Sequence, residues 1–106
     1  MSKNTIFIGT GVAIVTPMYA DGRVNYEKYR ELVEWQIENG TDAIISCGTT
    51  GESSTLNDEE HVEVIRAAVE QSKGRVPVIA GTGSNDTAYC IELSLKAKEL
   101  GSDALL

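Results

Sequence analysis

The run Gly40-Thr41-Asp42-Ala43-Ile44-Ile45 returns later in the chain as Gly101-Ser102-Asp103-Ala104-Leu105-Leu106. Both copies follow one pattern: a helix-ending glycine, a hydroxyl residue, Asp-Ala, then two aliphatics. Glycine suits the left-handed position that closes a helix. The aliphatic pair after it reads as the start of a buried strand. Each copy therefore marks a passage from helix to strand, and this dictates what lies on either side.

Before the first copy, Asn25 can cap a helix whose apolar stripe is Tyr26, Tyr29, Val33 and Ile37. Upstream, Gly11-Val12-Ala13-Ile14-Val15-Thr16-Pro17 is a short apolar run closed by proline, as expected of a buried strand, and Asp21-Gly22 marks a turn. After the first copy, the strand Asp42–Cys47 leads to a helix opened by Asn57, with Glu60 three residues on as in a capping box. Val62, Ile65 and Val69 line one face of this helix and Gly74 stops it. Pro77-Val78-Ile79-Ala80 is a third strand. A helix from about Asp86 to Leu100 follows, with Ile91, Leu95, Ala97 and Leu100 among its apolar positions. The second copy then begins a fourth strand.

Repeated βα units with continuous apolar strands imply a parallel sheet covered by helices. Two architectures fit: an open doubly wound sheet, or part of a (βα)8 barrel. Periodicity does not separate them. The chain stops inside an apolar strand, and a complete barrel needs about 250 residues. Residues 1–106 are therefore expected to be a partial domain, the first three and a half βα units of something longer.

Composition narrows the function. With 106 residues, 42% hydrophobic and 24% charged, the chain reads as one ordinary globular domain at most. A net charge of −7 argues against nucleic acid, whose phosphates call for Lys and Arg. No apolar run approaches the roughly 20 residues that cross a bilayer, and the N-terminus does not read as a signal peptide. Cys47 and Cys90 fit neither a metal spacing nor a Cys-x-x-Cys motif, so a reduced, cytoplasmic protein is expected.

The stretch Gly48-Thr49-Thr50-Gly51-Glu52 follows the second strand, at the end where α/β proteins bind ligands. Its backbone and two hydroxyls suit an anionic oxygen ligand. Phosphate-loop patterns are missing, so a carboxylate is the better anion, with a small phosphate-binding domain as an alternative. Gly81-Thr82-Gly83-Ser84-Asn85 is expected to line the same face, in a role at least as structural as functional. Gly9-Thr10-Gly11 belongs to the opposite end. Glu52 is expected to accept backbone N–H bonds and shape the turn. Cys47 reads as a small buried hydrophobe, Trp35 as packing, and His61 as a surface or interface residue. Glu59, Glu60 and Glu63 read as solvated helix surface. Lys3, Lys28, Lys73, Lys96 and Lys98 all fall outside the strands, so none is placed to attack a carbonyl from a barrel interior. The residues give an anion pocket without an obvious nucleophile.

Ile44-Ile45-Ser46-Cys47-Gly48-Thr49-Thr50-Gly51-Glu52-Ser53, with Glu60 further on, resembles the first signature of the dihydrodipicolinate synthase family. Val12–Pro17 and Pro77–Gly83 resemble that family's first and third strands. The resemblance runs from about Gly9 to Leu106 and covers the N-terminal third or so of the family's length. The family is a (βα)8-barrel lyase group with a Schiff-base lysine, and includes N-acetylneuraminate lyase and keto-deoxy sugar-acid aldolases. Sister members usually carry Gly-Ser-Thr-Gly-Glu here, so the Gly-Thr-Thr-Gly-Glu of this chain favours the synthase.

The resemblance implies the N-terminal (βα)3β part of a TIM barrel. It also implies condensation of pyruvate with L-aspartate 4-semialdehyde to 4-hydroxy-tetrahydrodipicolinate, on the way to diaminopimelate and lysine. Thr50 matches the threonine that binds the pyruvate carboxylate. Thr49 matches the threonine whose hydroxyl links two tyrosines in a proton relay. Those tyrosines, the Schiff-base lysine and the arginine for the second substrate would all lie beyond Leu106, so the chain alone is expected to be inactive. Neither cofactor nor metal is implied, and the full-length form is expected to be a homo-oligomer, dimer or tetramer. Ser53, Ser54, His61 and Asn85 match a lysine-effector site of some members. Asp58 and Tyr89 depart from that site's pattern, Tyr89 standing where a glutamate is typical. A reading of another class is a non-catalytic fragment that associates with itself or with a complementary chain through its open sheet edge.

Overall fold

The computed structural model describes residues 5–48, 50–52, 55–83 and 86–106. Strand and helix alternate: β1 (Gly11–Ala13), α1 (Tyr26–Glu38), β2 (Ala43–Ser46), α2 (Asp58–Ser72), β3 (Val78–Ala80), α3 (Thr87–Glu99) and β4 (Ala104–Leu105). The four strands are parallel and lie in the order β1-β2-β3-β4. That order decides between the two expected architectures. A doubly wound sheet reverses its strand order at a switch point and so carries helices on both faces. Here each strand is added beside the last. With right-handed crossovers this puts α1, α2 and α3 on one face, as in a (βα)8 barrel. The fold is the (βα)3β part of such a barrel.

Local chemistry places the helices. Asn25 accepts from Lys28 N at 3.0 Å and caps α1. At α2, Asn57 Oδ1 accepts from Glu60 N at 2.8 Å while Glu60 Oε1 accepts from Asn57 N at 3.0 Å, so the expected capping box is complete. Asp86 caps α3 through Tyr89 N at 3.2 Å. Helix α2 ends at Ser72, two residues before Gly74, with Lys73 already left-handed at φ 49°.

The repeated run has a structural counterpart. Gly40 and Gly101 adopt φ 89° and 99° and turn the chain out of α1 and α3. Asp42 N donates to Thr10 O at 2.9 Å, and Asp42 Oδ2 accepts from Thr10 N at 2.8 Å. Asp103 N donates to Val78 O at 2.8 Å, and Asp103 Oδ2 accepts from Val78 N at 2.9 Å. Each aspartate thus stands just before its own strand and binds both backbone groups of one residue at the start of the neighbouring strand, Thr10 just before β1 and Val78 the first residue of β3. It sets the register of the new strand as the chain leaves the helix.

The core lies between the sheet and the helices. Ile44, Val78 and Ala80 meet Tyr29, Val33, Val64, Ile65, Ala68 and Ala97 there. Tyr26 and Ile37 pack against it, as the stripe of α1 requires. In α2, Val64, Ala67 and Ala68 are buried alongside Ile65, while Val62 is only half-buried. In α3 the expected stripe is half wrong. Leu93 and Ala97 are buried, whereas Ile91 and Leu95 are 58% and 59% exposed on the opposite side. Trp35, expected to pack, is 56% exposed, because Tyr29 and Val33 already occupy the inward face of α1. Strand β1 is shorter than the run to Pro17, although Ile14 and Thr16 beyond it remain buried. Among the described residues, no helix is long and apolar enough to cross a membrane.

Candidate functional site

Three strand ends converge on the turn after β2. Ser46 closes the strand with its hydroxyl 2.7 Å from the Tyr29 hydroxyl, a fully buried polar pair. Burial pushes the Tyr29 phenol well above its usual range, although its bond to Ser46 opposes the shift. Cys47 comes next and is buried as expected. Its thiol lies 3.8 Å from both the Ser46 hydroxyl and the His61 carbonyl, and burial pushes its pKa up to about 12. This is an inert thiol, not a nucleophile.

The backbone of Cys47 is less ordinary. Its φ is 59°, and Glu52 at the far side of the turn has φ 58°. Two non-glycine residues in the left-handed region bracket the turn, each at a cost of about 1–3 kcal/mol. Between them Gly51 N donates to Gly48 O at 3.0 Å and closes the loop. Thr50 is exposed at its tip. The Glu52 carbonyl accepts from both Thr55 N at 3.0 Å and the Thr55 hydroxyl at 2.9 Å. The described contribution of Glu52 to the turn is therefore through its backbone, where side-chain acceptance was expected.

Neighbouring strand ends seat this turn. A Cβ on Gly51 would stand 3.1 Å from both the Ile14 carbonyl and the Thr16 hydroxyl, so the segment after β1 abuts it. On the other side, a Cβ on Gly81 would collide with the Cys47 carbonyl, and the Gly48 nitrogen would stand only 3.1 Å from it. Gly81 N also donates to Ser46 O at 2.7 Å. The Gly-Thr-Gly loop thus lies at the same end of the sheet as expected. Its first glycine is demanded by close approach. Thr82 is buried and takes a hydrogen bond from the Ser94 hydroxyl at 2.9 Å.

Of the residues singled out from the sequence, Thr50 and His61 are described; Thr49, Ser53, Ser54 and Asn85 lie outside the described residues. His61 is not on the surface. It is 4% exposed, and Nε2 lies 2.7 Å from the Gly81 carbonyl. Asp58 and Tyr89 meet across the cleft between α2 and α3. Burial and then the Asp58 carboxylate raise the Tyr89 pKa. The Ser46–Tyr29 pair, the left-handed Cys47 and the buried Thr16 hydroxyl had no signal in the sequence beyond polar residues within an apolar run.

This turn of small residues, with Thr50 exposed at its tip, lies at the C-terminal end of a parallel strand, and the fold around it is that of a (βα)8-barrel protein. The sequence model of the Dihydrodipicolinate synthetase family matches residues 6–106. The chain belongs to that family. It is 62% identical over 101 residues to the 4-hydroxy-tetrahydrodipicolinate synthase of Geobacter metallireducens, covering 95% of this chain and 34% of that protein. It is 64% identical to the synthase of Geotalea uraniireducens, with the same coverage. Among solved structures, the chloride-inhibited dihydrodipicolinate synthase of Acinetobacter baumannii, complexed with pyruvate, superposes with a TM-score of 0.91 at 52% identity. That match covers 95% of this chain and 34% of the other. Dihydrodipicolinate synthase DapA-2 of Bacillus anthracis gives 0.90 at 49% identity. The chain spans about a third of the length of the relatives it matches.

Proposed function

We propose that this chain is the pyruvate-carboxylate-binding part of a lyase that condenses pyruvate with L-aspartate 4-semialdehyde. The observation that carries this reading is the exposed Thr50 at the tip of a turn pinned between the ends of β1 and β3. The likeness to a structure complexed with pyruvate supports it. In this reading the Thr50 hydroxyl donates to one carboxylate oxygen. The Thr49 hydroxyl accepts one proton while donating another, as a relay requires. The carbonyl of pyruvate is activated by a Schiff-base lysine that follows Leu106. Substituting Thr50→Val in a protein of the relatives' length is expected to raise the KM for pyruvate roughly 10- to 100-fold, the worth of one hydrogen bond to a charged group. An unchanged KM would refute the role.

Two further points belong to the same reading. The outward-facing Ile91 and Leu95 on α3 support assembly of the full-length form. Lysine feedback is left out of the reading. The position of the typical glutamate is held by Tyr89, which faces the acidic Asp58, and Nε2 of His61 is bonded to the Gly81 carbonyl.

A second reading applies to the 106 residues alone. Leu106, at the open β4 edge, and Val15 are 69% and 50% exposed, which supports association of the chain with itself or with a complementary chain. Size measurement in solution tests it: a stable monomer would remove that reading.

A further inference from the structure

We infer that His61 is a positioning residue for the Gly48–Gly51 turn, holding it through Gly81 although it lies on a helix outside the loop. The consequence for catalysis rests on the proposed reading of this turn as the carboxylate site; the mechanical role does not.

His61 is the fourth residue of α2, on a turn whose Asp58 and Glu59 are exposed. Its own ring is buried and directed at the end of β3. A carbonyl oxygen only accepts, so the 2.7 Å contact with Gly81 O requires the proton on Nε2. Gly81 in turn has its α-carbon against the Cys47 carbonyl, and its N–H is bonded to Ser46 O. The His61 carbonyl faces the Cys47 thiol at 3.8 Å. Helix α2, the end of β3 and the end of β2 therefore form a closed ring of contacts around Cys47.

Cys47 needs such a ring. A side chain at φ 59° persists only where its surroundings over-determine it. Gly81 presses on the Cys47 carbonyl from one side, and the His61 backbone carbonyl faces its thiol from the other. Without the His61 donor, the buried Gly81 carbonyl loses this partner, and its peptide is held only from the other side, by the Thr82 N–H bond to Leu106 O at 3.2 Å, among the described residues. Cys47 can then relax toward ordinary strand geometry, which swings Gly48 and the turn away from the strand end. The competing account is that His61 only fills space. Leucine would fill the space without a donor; glutamine would carry an N–H to about the same place.

The test compares His61→Leu and His61→Gln with wild type in the chain continued to the length of its relatives. Amide exchange is read at Gly48, Thr50 and Gly51 and, for reference, at Val64, Ile65 and Ala68 of α2. His61→Leu is expected to speed exchange in the turn about tenfold or more while the α2 amides stay within about threefold, and His61→Gln to stay near wild type throughout. Pyruvate KM should rise in the leucine variant and recover in the glutamine variant. Unchanged turn amides in His61→Leu would overturn the inference. So would turn and α2 amides rising together, or a glutamine variant that behaves like the leucine one. If wild type does not turn over pyruvate, the carboxylate reading fails, and the exchange comparison still decides the clamp.

Discussion

The α-carbon of Gly81 rests against the carbonyl of Cys47, so closely that no methyl group fits between them. The obstacle is backbone at the end of β2, which cannot swing aside as a side chain can. Gly81→Ala is therefore expected to lose about 4 kcal/mol or more, at the severe end for a single substitution. A Cβ on Gly83, two residues on, would meet only the Leu106 carbonyl among the described residues, at 3.9 Å. Gly83→Ala should stay within about 0.5 kcal/mol of wild type. Urea unfolding of both variants in the full-length protein checks the contrast; equal effects would contradict the close approach.

Both aspartates of the repeated run should stabilise the fold. Asp42 and Asp103 each bind with Oδ2 the N–H of a residue at the start of the adjacent strand, Thr10 and Val78. Asp42→Ala and Asp103→Ala are each expected to cost about 1–2 kcal/mol, because a charge-assisted bond at a strand start is lost. The Asp103 bond is half-buried and the Asp42 bond exposed, so Asp103→Ala should cost more. Stability unchanged by both substitutions would show that the repeat is only a sequence pattern.

The pattern was legible because its causes are local. Glycine, capping asparagine and aliphatic pair each act within a few residues, so the helix starts at Asn25 and Asn57 and the strand starts at Asp42 and Asp103 could be read directly. What failed depended on neighbours. Helix α3 carries apolar residues on two sides, and only packing against α2 and the sheet selects Leu93 and Ala97 over Ile91 and Leu95. Trp35 looked like core on hydrophobicity alone, but Tyr29 and Val33 fill the inward face of α1. The inward turn of His61 depends on a carbonyl twenty residues away. At the site, the strand-end location of the turn was legible, whereas the left-handed Cys47 that launches it was not.

One ion pair should add to the acid sensitivity of the fold. Glu34 on α1 receives Arg75 Nη1 and Nη2 at 2.8 and 2.7 Å and Gln71 Nε2 at 2.8 Å. The Arg75 bonds, with help from Gln71, lower the Glu34 pKa to about 2 from its ordinary 4.5. A depressed carboxylate stabilises the fold above its unfolded pKa and loses that contribution as pH falls through its folded one. Glu34→Gln should thus be less stable than wild type at neutral pH, with the gap closing between about pH 4.5 and pH 2. The pair is exposed, so salt should also narrow the gap. Denaturation midpoints across that range check both; a gap independent of pH would contradict the pairing.

Thr49→Val tests the relay role in a protein of the relatives' length. Valine keeps the shape and removes the hydroxyl. Turnover is expected to fall roughly 10²- to 10⁴-fold, the usual worth of positioned proton transfer, with the thermal midpoint little changed. Near-normal turnover would remove Thr49 from the chemistry.

The central claim is that this chain holds the carboxylate of pyruvate while a lysine elsewhere attacks its carbonyl. Borohydride reduction in the presence of labelled pyruvate tests it most directly, on the 106-residue chain and on the same chain continued to its relatives' length. The account predicts no label on the 106 residues and one covalent adduct on the longer protein, at a lysine after Leu106. An adduct on Lys3, Lys28, Lys73, Lys96 or Lys98, or none on the longer protein, would contradict it.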